Sequence, residues 1–313
     1  MKGLWVIWSP DSSRGEEIGT RSNQESPEVK EYSENIRLGE TLLEIDRSDR
    51  KEIGRTGEYV SAIGLGTWAI RDYSKCLEAY MYAIESGVDN IDTAEMYHNG
   101  KAEEFVGELV KRVGRQRVFI TTKILPERLI SREEVLKAAR SSVKRLGVSA
   151  VDLMLIHWPN RSMSISQQVR NFESVYLKGL ARYIGVSNFS LTELEEAVAA
   201  VRKADIVVNQ VHYSIIHRDV EKDLLPYAVL KGITIQAYTP IERGAVKDLE
   251  VLKQLSYKYG KTPIQIALNY LISRPRVIAI PKAESKKHIE ELLGSMGWRL
   301  SLSDLILLSR ASS

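Results

Sequence analysis

Three apolar runs end in an ionisable residue: Asn90-Ile91-Asp92, Val118-Phe119-Ile120-Thr121-Thr122-Lys123 and Val151-Asp152-Leu153-Met154-Leu155-Ile156-His157. Buried parallel strands carry charge only where they leave the core, so strands running in one direction would bring an acid, a base and an imidazole to one open face. Tyr97, five residues beyond Asp92, would join them from the following loop. Taken singly, each residue has a plain role: a strand-end Lys is solvated, an Asp caps the next helix, a His satisfies a core hydrogen bond. Together the four can make a phenol into a proton donor. A free tyrosine has a pKa of about 10 and donates poorly near neutrality. A Lys123 ammonium beside it should stabilise the phenolate and lower that value, with Asp92 keeping the ammonium charged and oriented. His157 would hold a carbonyl oxygen against the Tyr97 hydroxyl, and that hydroxyl would protonate the developing alkoxide.

Positioning four such groups needs a regular frame, and one begins near Val60. Short β-branched or aliphatic runs alternate with Gly, Asn or Ser turns and with stretches of helical apolar spacing. Eight runs read as strands: Ser61 to Leu65, Val88 to Asp92, Val118 to Lys123, Val151 to His157, Tyr183 to Val186, Val207 to Val211, Thr234 to Tyr238 and Val277 to Ile280. Ser131 with Glu134 and Ser190 with Glu193 read as capping boxes opening two of the intervening helices. Val135, Ala139, Val143 and Leu146 place one apolar face on the first of these. Eight strand–helix pairs with right-handed crossovers close most simply into a (β/α)8 TIM barrel, here preceded by a short strand hairpin region. An open doubly wound sheet would carry a three-glycine dinucleotide fingerprint after its first strand. Gly64-Leu65-Gly66-Thr67-Trp68 supplies two of those glycines and no third. Residues 1–52, rich in Ser, Glu, Arg and Pro and without sustained period, read as a partly disordered extension of low order, and 53–313 as the barrel domain.

With 44 Lys and Arg against 41 Asp and Glu, the chain has no basic surplus suited to nucleic acid. A single cysteine, Cys76, rules out an intrachain disulfide, a cysteine-based zinc site or an iron–sulfur cluster, and fits a reducing, cytoplasmic setting. No metal ligand is assigned. The apolar segment Gly3–Trp8 is shorter than the ~7–15 residues of a signal-peptide core, and no run reaches the ~18 residues of a membrane span. A soluble monomer or weak oligomer is the expectation.

Further stretches extend the pattern: Thr93-Ala94-Glu95-Met96-Tyr97 after Asp92, Leu155-Ile156-His157-Trp158-Pro159, Tyr183-Ile184-Gly185-Val186-Ser187-Asn188-Phe189, Asn209-Gln210-Val211, Gln236-Ala237-Tyr238-Thr239-Pro240 and Ile278-Ala279-Ile280-Pro281-Lys282. In this order and spacing, over about residues 53 to 311, the chain resembles the aldo-keto reductase family. The resemblance implies hydride transfer from a nicotinamide cofactor to an aldehyde or ketone, with Tyr97 as general acid, Lys123 and Asp92 tuning it and His157 orienting the carbonyl. It further implies that Ser187, Asn188 and Gln210 hold the nicotinamide carboxamide and that Tyr238 stacks on the ring. An amide-rich trio suits a carboxamide and a flat aromatic suits a flat ring. Gly66, Thr67 and Asp92 would also line the cofactor, and Thr239, Pro240, Ile241 and Arg243 would pass near the pyrophosphate.

By the same resemblance Lys282, Ser285 and His288 stand where the family binds the adenosine 2′-phosphate, and Glu291 would meet the adenine. Two departures occur there: family members often carry Arg where this chain has His288 and Asn where it has Leu292. An imidazole does not replace the permanently charged fork of an arginine. Lys282, Lys286 and Lys287 keep the local field positive, so NADPH is the expected cofactor, with NADH tolerated. Trp68 and Trp158 would wall an apolar pocket floored by Tyr97 and His157. The short loops around it imply broad activity on small or aromatic aldehydes, because each apolar contact adds only ~1–3 kcal/mol of preference. Two other readings compete. One is a nicotinamide-binding, redox-sensing accessory subunit with little turnover. The other is a barrel aldolase with Lys123 or Lys282 as Schiff-base nucleophile, which a Lys123 kept protonated by Asp92 disfavours.

Overall fold

The computed structural model describes residues 45–311; of the extension read over 1–52, residues 1–44 fall outside them. Two short antiparallel strands come first, β1 (Arg50–Glu52) and β2 (Tyr59–Ser61). Eight parallel strands follow and pair in chain order: β3 (Leu65–Gly66), β4 (Asn90–Asp92), β5 (Phe119–Ile124), β6 (Val151–Ile156), β7 (Ala181–Ser187), β8 (Ile206–His212), β9 (Thr234–Tyr238) and β10 (Val277–Ala279). The ring closes where Ile63 bridges Ala279 in parallel and the Gly64 N–H donates to the Ala279 carbonyl at 2.8 Å. This is the expected barrel.

Helices cover its outside: α1 (Tyr73–Glu85), α2 (Lys101–Val113), α3 (Arg132–Leu146), α4 (Ile165–Phe172), α5 (Ser174–Leu177), α6 (Leu191–Ala200), α7 (Leu224–Lys231), α8 (Glu250–Tyr259), α9 (Pro263–Ile272), α10 (Lys286–Leu293) and α11 (Leu302–Ala311). α3 buries the face expected of it, Val135, Ala139, Val143 and Leu146. Ser190 and Glu193 form the complete capping box of α6. At α3 only half the expected box is present: Ser131 Oγ accepts from the Glu134 N–H, while the Glu134 carboxylate turns toward Arg128 and Lys137. Among the described residues no helix is long and apolar enough to cross a membrane.

The N-terminal end of the barrel departs from the sequence reading. The run Ser61 to Leu65 is divided between two sheets, with Ser61 ending β2 and the barrel strand proper confined to Leu65–Gly66. Ala62 is the point of transfer: its N–H donates back to Asp49 in the hairpin at 2.8 Å, whereas its carbonyl accepts from Ala279 in the barrel at 2.9 Å. The boundary drawn at residue 52 also falls inside the hairpin, because β1 begins at Arg50. Lys51 ties that strand down: its buried ammonium donates to the Ile272 carbonyl at 2.7 Å and pairs with Asp46 at 2.6 Å. Burial pushes its pKa down to about 8, with Asp46 opposing. The hairpin residues Ile53 and Val60 join Phe119, Leu153, Leu155, Val207, Val208 and Ile278 in a cluster separate from the main core.

Strand parity then orients the chemistry. Phe119, Thr121 and Lys123 share one face of β5, and Leu153 and Leu155 share the corresponding face of β6, with His157 next in that series. Since Phe119, Leu153 and Leu155 lie in the hairpin-capped cluster, Lys123 and His157 follow them along the same face toward the C-terminal ends. Gly185 on β7 keeps the strands close: a Cβ there would lie 2.6 Å from the Val208 carbonyl oxygen and 2.7 Å from a Leu155 methyl. Gly185→Ala should therefore lower unfolding free energy by about 1–3 kcal/mol, the cost of overpacking a filled interior. Urea denaturation measures it, and an unchanged midpoint would contradict the packing described.

Candidate active site

The side chains of Asp92, Lys123 and Tyr97 meet at the C-terminal ends of β4 and β5. Lys123 Nζ donates to Asp92 Oδ1 at 2.6 Å, to the Thr93 carbonyl at 3.0 Å and to Tyr97 Oη at 3.0 Å, which uses all three ammonium protons. Register explains part of this, since Asp92 pairs with Thr121, two residues before Lys123 on the same strand face. Tyr97 is delivered by a tight turn, Tyr97–Gly100, in which His98, Asn99 and Gly100 all have positive φ (46°, 53° and 88°). The turn is anchored by a 2.7 Å hydrogen bond between His98 Nδ1 and the Tyr73 hydroxyl. The His157 ring stands 5.8 Å from that of Tyr97, edge to face, and packs 4.5 Å from Trp158.

The remaining Asp92 oxygen is also satisfied. Gln210 Nε2 donates to Asp92 Oδ2 and to Gln236 Oε1, both at 2.7 Å. Gln236 was absent from the sequence assignment, although its position two residues before Tyr238 on one strand face was the available signal. Burial pushes the Asp92 carboxyl up, against the pull of Lys123 and Gln210. Burial opposes the Lys123 charge too, but the Asp92 carboxylate and the Tyr97 oxygen outweigh it and hold the ammonium above its ordinary range. Tyr97 behaves differently from the expectation. Lys123 does pull its pKa down, yet burial is the larger effect and Asp92 adds to it, so the phenol lies above its ordinary value. It is a firmly protonated phenol with a cation beside its oxygen. Burial, with a smaller contribution from Lys123, lowers His157 to about 3 and keeps its imidazole neutral.

Around this centre Ser187, Asn188, Gln210 and Tyr238 are brought together at the ends of β7, β8 and β9. Asn188, at φ 60°, donates through Nδ2 to the His157 carbonyl at 3.0 Å and to Ser187 Oγ at 3.1 Å, and accepts from the Tyr238 hydroxyl at 2.8 Å. His212 stacks on Tyr238 with centroids 5.5 Å apart and planes 11° apart. The loop after β9 is strained: Thr239, Glu242 and Arg243 take φ of 52°, 46° and 53°, conformations that cost non-glycine residues about 1 kcal/mol or more each and gather at ligand sites. Arg243 lies over Trp68 at 5.3 Å, linking this loop to the one after β3. Trp68 is exposed and Trp158 half-buried, so the two do not form the same kind of wall.

At the far end the charges are arranged differently from the sequence reading. Lys282 donates to the Ala69 carbonyl at 2.8 Å and is paired with Glu284. Glu284 also accepts from the Arg71 and Asp72 N–H groups and stays ionised below the usual carboxylate range: burial raises it, but Lys282 and the two amides outweigh that. Lys286 sits over the Tyr82 ring at 4.3 Å. Ser285 caps α10 by accepting from the His288 N–H, the His288 ring is exposed, Glu291 is half-buried, and Leu292 is buried in the core. The field from three lysines is thus reduced, mainly by Glu284, which the sequence reading did not single out.

The group that such a site would hold, a nicotinamide nucleotide, fits the donors present. Thr67 Oγ1 is buried without a partner beside the β3 end. The Gln210 side chain donates through Nε2 to Asp92 and Gln236, and its Oε1 is an acceptor suited to a carboxamide N–H. Comparison with known proteins agrees. The model of the aldo/keto reductase family matches residues 62–309. The glyoxal reductase of Bacillus subtilis is 35% identical over 246 residues, covering 77% of this chain and 85% of that one. Among solved structures, the thermostable aldo-keto reductase Tm1743 in complex with epalrestat matches with a TM-score of 0.79 and 38% identity, over 84% of this chain and 99% of that one. An aldo/keto reductase from Klebsiella pneumoniae in complex with NADP and acetate matches with a TM-score of 0.78 and 29% identity, over 84% and 95%.

The buried pair has a measurable consequence. Lys123→Met leaves the Asp92 charge uncompensated and should destabilise the fold by about 3–5 kcal/mol at neutral pH. The double variant Asp92→Asn/Lys123→Met should recover most of that loss in chemical denaturation. Equal stability of the single and double variants would rule out a strongly coupled pair.

Proposed function

Since the chain belongs to the aldo/keto reductase family, we propose that it reduces small aldehydes and ketones to alcohols with NADPH, using Tyr97 as the general acid. The observation that carries this is the three-way contact of the Lys123 ammonium with Asp92, Thr93 and Tyr97. When bound, the nicotinamide supplies hydride to the carbonyl carbon. Charge then develops on the carbonyl oxygen, and Tyr97 donates its phenolic proton to it. The phenolate left behind is stabilised by Lys123 at 3.0 Å, an interaction that exists in full only after transfer and therefore lowers the barrier. Asp92 holds the ammonium in place. His157, neutral, donates a hydrogen bond to the same oxygen without competing for the proton.

Ser187, Asn188 and Gln210 would hold the carboxamide, and Tyr238 would offer the ring face not covered by His212. Gly66 and Thr67 would line the same cleft, Thr239 to Arg243 would run beside the pyrophosphate, and Lys282, Ser285, His288 and Glu291 would meet the adenosine end. NADP in the Klebsiella relative supports a phosphorylated cofactor, while the Lys282–Glu284 pair and an exposed imidazole at His288 argue for a modest preference. Glyoxal reduction in the Bacillus relative supports a small carbonyl substrate, in keeping with the short segment of seven residues between His157 and α4.

NADPH oxidation over a panel of small and aromatic aldehydes tests the reading, with Tyr97→Phe expected to lose about 10²–10⁴-fold in kcat; turnover retained in that variant would remove the proposed acid. Efficiency with NADPH should exceed that with NADH by about tenfold, the worth of one partly exposed charged hydrogen bond; equal values or better ones with NADH refute the preference. In the pH profile, an ordinary histidine would gain its proton as pH falls through about 6.5. His157 does so only near 3, so no histidine limb should appear between about pH 5 and 8, and the alkaline limb should lie beyond the ordinary tyrosine range. A limb near neutrality that disappears in His157→Gln would contradict a neutral imidazole.

A further inference from the structure

A cluster outside the proposed chemistry lies behind Tyr238. His212 is the last residue of β8, and the turn that follows folds His217 back over it. The Ser214 N–H donates to the His217 carbonyl at 3.1 Å, and Ser214 Oγ accepts from the Ile216 and His217 N–H groups at 3.1 and 3.0 Å. The two imidazoles end up 4.3 Å apart. Glu242 reaches them from the loop after β9: its Oε1 is 2.8 Å from His212 Nε2 and its Oε2 is 3.9 Å from His217 Nε2. All three donor atoms lie within 4.8 Å of one another. The sequence did not announce this, because His217 lies five residues beyond His212 and Glu242 thirty, in the loop after the next strand.

We propose that His212, His217 and Glu242 form a three-ligand site for a zinc-class divalent cation that fastens the loop after β8 to the loop after β9. Two imidazole nitrogens and one carboxylate oxygen are a donor set that suits zinc, with a further position left to water. Tetrahedral bonds of ~2.0–2.1 Å require donors roughly 3.4 Å apart, which small side-chain rotations supply from the spacings present. The Glu242 side chain is only 15% exposed, and among the described residues the basic side chains that reach its carboxylate are the two imidazoles, neither of them a lysine or an arginine. Such a carboxylate lacks a permanent countercharge, and a divalent cation provides one. His217, 53% exposed, leaves the ion a path from solvent.

Position gives the site its consequence. Glu242 stands between Ile241 and Arg243 in the strained loop, and Arg243 rests on Trp68. An ion held by Glu242 would restrain that loop and slow the release of a nucleotide lying beneath it. This second part rests on the cofactor reading given above, whereas metal binding itself does not.

The test uses the untagged, full-length protein after chelator treatment. Titration with Co2+, followed by its visible absorption and by displacement with Zn2+, should show one ion per chain. His217→Ala and Glu242→Gln should each weaken binding by about tenfold or more, with His217→Ala retaining NADPH-dependent turnover. Absence of saturable binding, or binding undiminished in both variants, overturns the site. With Zn2+ saturating, NADPH release in stopped flow should slow in the wild type and not in His217→Ala. An unchanged release rate overturns the restraint on the loop.

Discussion

A lysine ammonium and an aspartate carboxylate, both almost wholly buried and 2.6 Å apart, are the constraint around which the rest of this barrel is arranged. Removing two such charges from water costs several kcal/mol each, and Coulomb attraction repays it only when every remaining donor and acceptor is also satisfied. Here the condition is met: Lys123 spends its three protons on Asp92, Thr93 and Tyr97, while Gln210 takes the second oxygen of Asp92 and is itself held beside Gln236. Five elements of the fold contribute to one polar knot. A closed parallel barrel supplies this because its C-terminal rim is the one place where many strands end together above a packed interior.

Much of that arrangement was legible beforehand, for a simple reason. A charged residue that ends an apolar strand has few places to go, and parallel strands running in one direction bring Asp92, Lys123 and His157 to one open face. The eight-strand pattern was likewise visible in the alternation of β-branched runs with helical spacing. The parts that escaped were those decided by contacts remote in sequence. The run from Ser61 to Leu65 looked like one strand because nothing local reveals that Ala62 bonds to Asp49 on one side and Ala279 on the other. Lys282 looked like a free cation because its partners include Ala69, 213 residues away, and Glu284, whose role depends on that same corner.

The tyrosine shows why magnitudes matter. A cation beside a phenol suggests an acid weakened in its hold on the proton, and Lys123 does act in that direction. Burial acts more strongly in the other. Tyr97 therefore stays protonated through the neutral range, and in the proposed reaction the cation would contribute once negative charge reaches the phenolic oxygen. The strained segments fit the same economy of structure. Left-handed backbone at His98 and Asn99 and at Thr239, Glu242 and Arg243 falls in two loops that would face a ligand, with single further positions at Ala69, Asn188 and Arg276.

The central claim is that Lys123 remains an ammonium because Asp92 and Tyr97 hold it so, and this is open to direct measurement. Nuclear magnetic resonance of labelled lysine, following the Lys123 side chain as pH is raised, reports its protonation state without reference to turnover. A charged Lys123 should persist above the ordinary lysine range in the wild type, as the net effect of its two oxygen partners requires, with the charge lost at lower pH in Asp92→Asn. A neutral amine at pH 7 in the wild type would contradict it, and would return Lys123 to the role of a nucleophile.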